Sequence, residues 1–162
     1  MNLNSDSFKQ LVQNGILFSI DLVVLDHQSR ILVGKRVNRP AQGSWFVPGG
    51  RVYKNEPLPK AFKRICLTEL GQEFDYPQAW LLGLYDHFYK DSVFGEDIST
   101  HYVNAPYLIK LEGGMKLEKL PKYQHQDYRW LSINEIEQED IVHPYSKVFI
   151  DALKETLQRS TK

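Results

Sequence analysis

The chain has a single cysteine, Cys66, in 162 residues, which excludes an intramolecular disulfide framework. It has no excess of charge of either sign: Lys+Arg and Asp+Glu each number 20, so the formal net charge is zero. That removes the basic surplus with which a general nucleic-acid binder holds phosphates, and no nucleic-acid partner is expected. Long apolar runs are also missing. The best candidate, residues 16–25, is interrupted by Asp21 and followed by Asp26. It falls short of the roughly 20 apolar residues a membrane helix needs, so no membrane partner is expected. The opening MNLNSDSFKQ carries no basic-then-apolar targeting pattern. A reducing cytoplasm is the simplest setting. There is no linker, repeat or low-complexity tract, and the length suits one domain over residues 1–162 with a real core.

The most informative stretch is 48–71, PGGRVYKNEPLPKAFKRICLTELG. Its second half predicts a helix over 58–70. At roughly 100° per residue, Leu58, Ala61, Phe62, Ile65 and Cys66 form one apolar stripe that would pack on a core. Pro59 is tolerated in the first turn, and Gly71 is a C-terminal stop. Glu69 falls inside the apolar stripe, where a carboxylate is costly unless it meets a cation. Two readings stand: a stripe-end residue paired with a lysine, or a metal ligand. The Gly49-Gly50 pair lets backbone approach closely, so a carbonyl and a carboxylate could share a hard cation such as magnesium or manganese.

Elsewhere, Ser5-Asp6 can cap a short helix reaching Asn14. Strands are expected over 16–25, 31–35, 45–47, 80–89, 100–111 and 128–131, with a turn over 26–29 and a loop over 90–99. Ser132 can cap a turn of helix, and a last helix is expected over 145–158. Strands around one central helix, with a second helix late, predict an α+β chain: an α/β/α sandwich with a mixed β-sheet. Asp21 lies within an apolar strand and is either an outward-facing residue of an alternating pattern or part of a site.

The stretch resembles the Nudix box: Gly, five residues, Glu, seven residues, then Arg-Glu-x-x-Glu-Glu-x-Gly. Gly50, Glu56, Arg64, Glu69 and Gly71 match, whereas Ile65 and Thr68 stand where the pattern has its other two glutamates. This thinned box is similar to that of the GDP-mannose mannosyl hydrolases, a divergent Nudix group. The likeness extends to LVGKRVNRPAQGSWFVPGGRV, DHFY, THYV and QHQDYRWL.

The resemblance implies hydrolysis of a GDP-sugar by attack of water on the anomeric carbon. It implies one Mg2+ (or Mn2+) per subunit, held by the Gly49 carbonyl, Glu69, Gln124 and the substrate diphosphate. Arg36, Arg51 and Tyr102 would stabilise the leaving diphosphate; Arg64 would bind it or orient Glu69 through an ion pair. His125, placed in a polar loop directly after Gln124, would be the general base, a role left open by the missing carboxylates and suited to an imidazole. Asp21 and His87 would bind substrate. A homodimer is implied, with segment 1–14 exchanged and Phe8 reaching the neighbouring site.

Overall fold

A computed structural model describes residues 3–76 and 79–159. The chain runs α1 (Ser5–Asn14), β1 (Leu17–Leu25), β2 (Arg30–Arg36), β3 (Trp45–Phe46), β4 (Gly49–Arg51), α2 (Leu58–Leu70), β5 (Trp80–Leu81), β6 (Tyr85–Tyr89), β7 (Thr100–Lys110), β8 (His125–Ser132), α3 (Ile133–Gln138) and α4 (Ile150–Arg159). The strands form one mixed eight-stranded sheet. At its centre β1 and β7 run parallel over their whole length, Leu17 beside Tyr102 and Leu25 beside Lys110. The other pairings are antiparallel, including the β2–β8 ladder and the short β1–β4 pair that sets Asp21 opposite Gly49.

Side chains alternate across β1, and this builds two cores. Ile20, Leu22 and Val24 pack with Ala61, Phe62, Ile65, Cys66 and Leu70 of α2. Val23 and Leu25 point the other way, into a core that includes Ile136 of α3 and Phe149, Ile150 and Leu153 around α4. The sheet therefore lies between helices, which is the α/β/α arrangement expected. Cys66 is buried, and burial pushes its thiol up to about 12, as suits an inert core residue.

Local chemistry shifts several expected boundaries. The first helix is capped by Asn4, whose side chain accepts from the Ser7 N–H at 2.8 Å, rather than by Ser5-Asp6. The strand expected over 80–89 breaks in two at Gly83, whose φ of 135° no side-chain-bearing residue adopts readily. The last helix starts only at Ile150, because a separate 3₁₀ turn, Pro144–Ser146, precedes it. His125 opens strand β8 rather than sitting in a loop. Ser132 does cap α3, through a reciprocal capping box with Glu135. Among the described residues no helix is long and apolar enough to cross a membrane. Residues 1–2, part of the segment expected to be exchanged between subunits, lie outside the described residues.

Candidate functional site

A cleft of about 560 Å³ opens where the ends of β1, β4, β6 and β7 meet the loop after β2 and the segment before β8. Gly49 shows why glycine is needed at its floor. A Cβ there would lie 2.4 Å from Asp21 Oδ1 and 2.6 Å from the Ile20 carbonyl oxygen. Gly50 faces the other side of the sheet, where a Cβ would press on Ile65 at 3.1 Å. Ile65 thus fills apolar space beneath the glycine turn, in a place where a carboxylate would be stranded.

Two carboxylates lie in or beside the cleft without a strong cationic partner. Asp21 is 5% exposed and Glu69 2%. Burial pushes Asp21 up to about 7, only partly offset by the Asn104 amide and Arg36. Burial likewise pushes Glu69 up to about 7, with Arg36 opposing and Asp21 reinforcing the rise. Asp21 is therefore not the outward-facing strand residue. Nor does Glu69 pair with a lysine: its Oε1 accepts from the Gln124 amide at 2.8 Å, and its Oε2 lies 3.6 Å from His125 Nδ1.

These residues fit a divalent cation. Asp21 Oδ2 is buried without a hydrogen-bond partner, and two raised carboxylates mark a place short of positive charge. Glu69, the Gln124 side chain and the Gly49 carbonyl are hard oxygen donors of the kind magnesium takes. No cluster of three or more His, Cys, Asp or Glu side chains suited to a metal occurs among the described residues. A cation held by Glu69, Gln124 and Gly49 would have one carboxylate and neutral oxygens as its protein donors.

Arg36 and Arg51 both line the cleft. The Arg36 Nε donates to the Pro40 carbonyl at 3.0 Å, which fixes the side chain at the cleft edge. Arg51 keeps Nη1 buried and unpartnered, a donor directed at nothing within the protein. Tyr102 lines the same wall, and burial holds its phenol protonated as a donor. Phe8 lies under the Arg51 guanidinium, 3.8 Å from ring centre to Cζ, which sets α1 beside the cleft. Arg64 stands apart. It is taken up by Glu56 through two bonds of 2.7 and 2.8 Å and by the Arg51 carbonyl at 2.8 Å, so it braces the turn after β4 and makes no ion pair with Glu69.

His125 is 1% exposed, with both ring nitrogens unpartnered, and it is not on the cleft wall; Gln124 is. Its ring sits against Gly34, where a Cβ would come within 2.6 Å of it. Burial, reinforced by Arg36, pushes the imidazole down to about 4. His87 does line the cleft, and its Nε2 is likewise buried and unpartnered. Sequence reasoning missed Ser19, Tyr89 and Asn104 in the lining. Asn104 donates to Ser19 Oγ at 2.8 Å. Its signal was an amide set in the run 103–109, which is otherwise Val, Ala, Pro, Tyr, Leu and Ile.

The NUDIX domain profile matches residues 17–153, which span the sheet, the cleft and α2. The chain belongs to the Nudix family. Among curated proteins the Nudix chain is 37% identical over 150 residues to the low-salt glycan biosynthesis protein Agl8 of Haloferax volcanii, covering 91% of this chain and 88% of that protein. Among solved structures it resembles a MutT NUDIX hydrolase from Burkholderia pseudomallei, with a TM-score of 0.68 and 25% identity over 86% of this chain and 99% of the other. The Nudix domain of Shewanella oneidensis NrtR, solved with ADP-ribose, superposes with a TM-score of 0.66 at 18% identity, covering 96% of this chain and 94% of that one. At that identity the likeness is one of fold. The Nudix box of this chain keeps Glu56 and Glu69 and lacks the remaining two glutamates.

Proposed function

We propose that this chain hydrolyses GDP-mannose, and GDP-glucose, to GDP and the free sugar, with water attacking the anomeric carbon and inverting it. The reading is carried by the thinned acidic cluster: Ile65 is packed away beneath Gly50, and Glu69 is the box carboxylate left beside the cleft. Attack on phosphorus by paired metals needs several carboxylates to gather them. Attack on carbon needs less. A diphosphate leaves once its charge is neutralised, without the general acid that an alkoxide leaving group demands.

The roles are those the resemblance implies, and the place of Arg36, Arg51, Tyr102 and Gln124 on the cleft wall supports them. Arg36 and Arg51 take the departing diphosphate oxygens, with the free Nη1 of Arg51 available for one of them. Tyr102 donates to the same charge. Gly49, Glu69 and Gln124 would hold a divalent ion, which when bound would supply further charge neutralisation at the diphosphate. Asp21 and His87 meet the sugar. His125 accepts the proton of the attacking water. The resemblance to a glycan biosynthesis protein supports a place in nucleotide-sugar supply. A homodimer with an exchanged N-terminal segment belongs to the same reading and is checked by light scattering of the intact chain.

Hydrolysis in 18O-water is the test. Label in the sugar is expected; label in the phosphate would instead mark a pyrophosphatase cutting P–O, and binding without any product in the presence of Mg2+ would mark a sensor. One observation favours a second reading of the base. Asp21 faces the cleft with a free oxygen and titrates near 7, whereas His125 is walled off. His125→Gln is expected to cost about 10²–10⁴ in kcat while Asp21→Asn costs less. The reverse order would transfer the role to Asp21.

A further inference from the structure

Behind the cleft lies a cluster of five rings. Phe46, His87 and Tyr89 face the cleft; His143 and Tyr145 stand outside its lining. The His87 imidazole is stacked flat on the Tyr145 ring, with centroids 4.2 Å apart and planes within 3° of parallel. The Tyr145 hydroxyl then makes two bonds to one residue of β6: it accepts from the Phe88 N–H at 2.8 Å and donates to the Phe88 carbonyl at 2.9 Å. Phe88 follows His87 directly, so the strand that carries the imidazole and the imidazole itself are both held by one side chain.

Tyr145 is in turn fixed by its own turn. Its N–H donates to His143 Nδ1 at 3.1 Å, and the neighbouring Ser146 Oγ accepts from the Val47 N–H at 3.0 Å, next to the Pro-Gly-Gly turn. What the brace presents is the His87 edge. That ring is 2% exposed, lines the cleft, and keeps Nε2 buried with no partner in the protein. A buried, unpartnered ring nitrogen costs stability unless a ligand meets it.

We infer that Tyr145 is a positioning residue: its ring backs His87 and its hydroxyl clips β6, so that the imidazole nitrogen is already aimed at a hydroxyl of the sugar when substrate arrives. The inference rests on the nucleotide-sugar reading of the cleft. A neutral imidazole can either donate to or accept from a hydroxyl. Burial keeps this one neutral, holding it down to about 4 with help from His143, while Asp86 opposes. Pre-setting the ring keeps it aligned with the sugar through the reaction, and small misplacements of such a group are costly to rate.

The test compares Tyr145→Leu, which removes ring and hydroxyl, with Tyr145→Phe, which keeps the ring, using GDP-mannose. Tyr145→Leu is expected to lower kcat about 10- to 100-fold with KM little changed, because the diphosphate contacts are untouched. Tyr145→Phe is expected to stay within about threefold of the parent, the ring alone restoring most of the rate. Placed in a His87→Gln background, Tyr145→Leu should cost nothing further, since it acts only through that ring. Additive losses, a change confined to KM, or unchanged kcat in Tyr145→Leu would each overturn the inference. Tyr145→Met takes its place in every arm should the leucine variant not fold.

A substrate-free measurement separates this inference from the functional reading. In the parent, the His87 ring protons should appear upfield by NMR, shielded by the stacked phenol, and should lose that shift in Tyr145→Leu. Unchanged ring shifts would sink the positioning role even if GDP-mannose is turned over. Absence of turnover in the parent would overturn the substrate reading on which the inference depends.

Discussion

Asp21 is the residue at which site and stability are most directly opposed. In the folded chain its carboxyl titrates near 7, against 3.8 when unperturbed, because burial outweighs the help of Asn104 and Arg36. The folded state therefore holds a proton through this interval that the unfolded state has released. Stability from this group is intact below the ordinary carboxylate range and falls as pH rises toward 7. His87 and His125 act in the opposite sense. Both are held near 4 by burial, so they lose stability as pH falls below their ordinary value of 6.5. Asp21→Asn removes the carboxylate contribution alone. In metal-free protein it is expected to raise Tm more at about pH 8 than at about pH 5. Thermal melts of parent and variant at both pH values check this, and an equal gain at the two would remove the raised carboxyl from the account. Glu69→Gln makes the parallel test of the cation site. Calorimetric titration of Mg2+ in the presence of GDP should show affinity weakened about tenfold or more. Unchanged affinity would place the ion elsewhere.

These residues were unequally legible. Glu69 announced itself because a carboxylate in an apolar helical stripe has few solutions, and its neighbours are Gln124 and His125 rather than a lysine. Arg64 misled, because sequence spacing shows that it and Glu69 share a helix but not that Glu56, eight positions earlier, folds back within 2.7 Å of its guanidinium. His125 was judged by its polar neighbours, which gave no sign that the ring lies inward over Gly34.

At the scale of the element, the strand and helix patterns were read correctly wherever one face was continuously apolar. α2 ran over the expected residues because its stripe, Pro59 and the left-handed Gly71 all agree. The expected strand over 80–89 failed at Gly83, and the last helix failed at the 3₁₀ turn. In both places tertiary demands override local preference: β6 must leave β5's course to bring His87 to the cleft, and the Pro144–Ser146 turn is held by its Ser146 and Tyr145 hydroxyls, which accept from the Val47 and Phe88 N–H groups. The β2–β8 contact has its own test. Gly34 has no room for a methyl because the His125 ring occupies it. Gly34→Ala is expected to destabilise by about 1–3 kcal/mol in denaturant melts, through overpacking. The turn between β4 and α2 has another. Arg64→Ala leaves the half-buried Glu56 carboxylate without its two bonds and the Arg51 carbonyl without its donor. A loss of about 1–3 kcal/mol is expected, and a variant as stable as the parent would show the pair to be dispensable.

For the whole molecule, the α/β/α sandwich was legible because strands surround one amphipathic helix and a second helix comes late, whereas the location of the cleft was not. The cleft depends on β1 and β7 running parallel and on β4 crossing back to set Gly49 beside Asp21, and neither pairing has a local signature. Charge shows the same separation of scales. The chain is neutral overall, yet Arg36, Arg39 and Arg51 all line the cleft. A neutral molecule has little long-range field with which to steer an anionic substrate. Its affinity for a diphosphate has to come from contacts formed at close range, where buried or half-buried groups are screened weakly. The kcat/KM for GDP-mannose should therefore fall by less than about threefold between about 0.05 and 0.5 M NaCl. A steep decline would mean that capture depends on a field the balanced composition does not suggest, and that the clamp is more exposed to solvent than the unpartnered Arg51 Nη1 indicates.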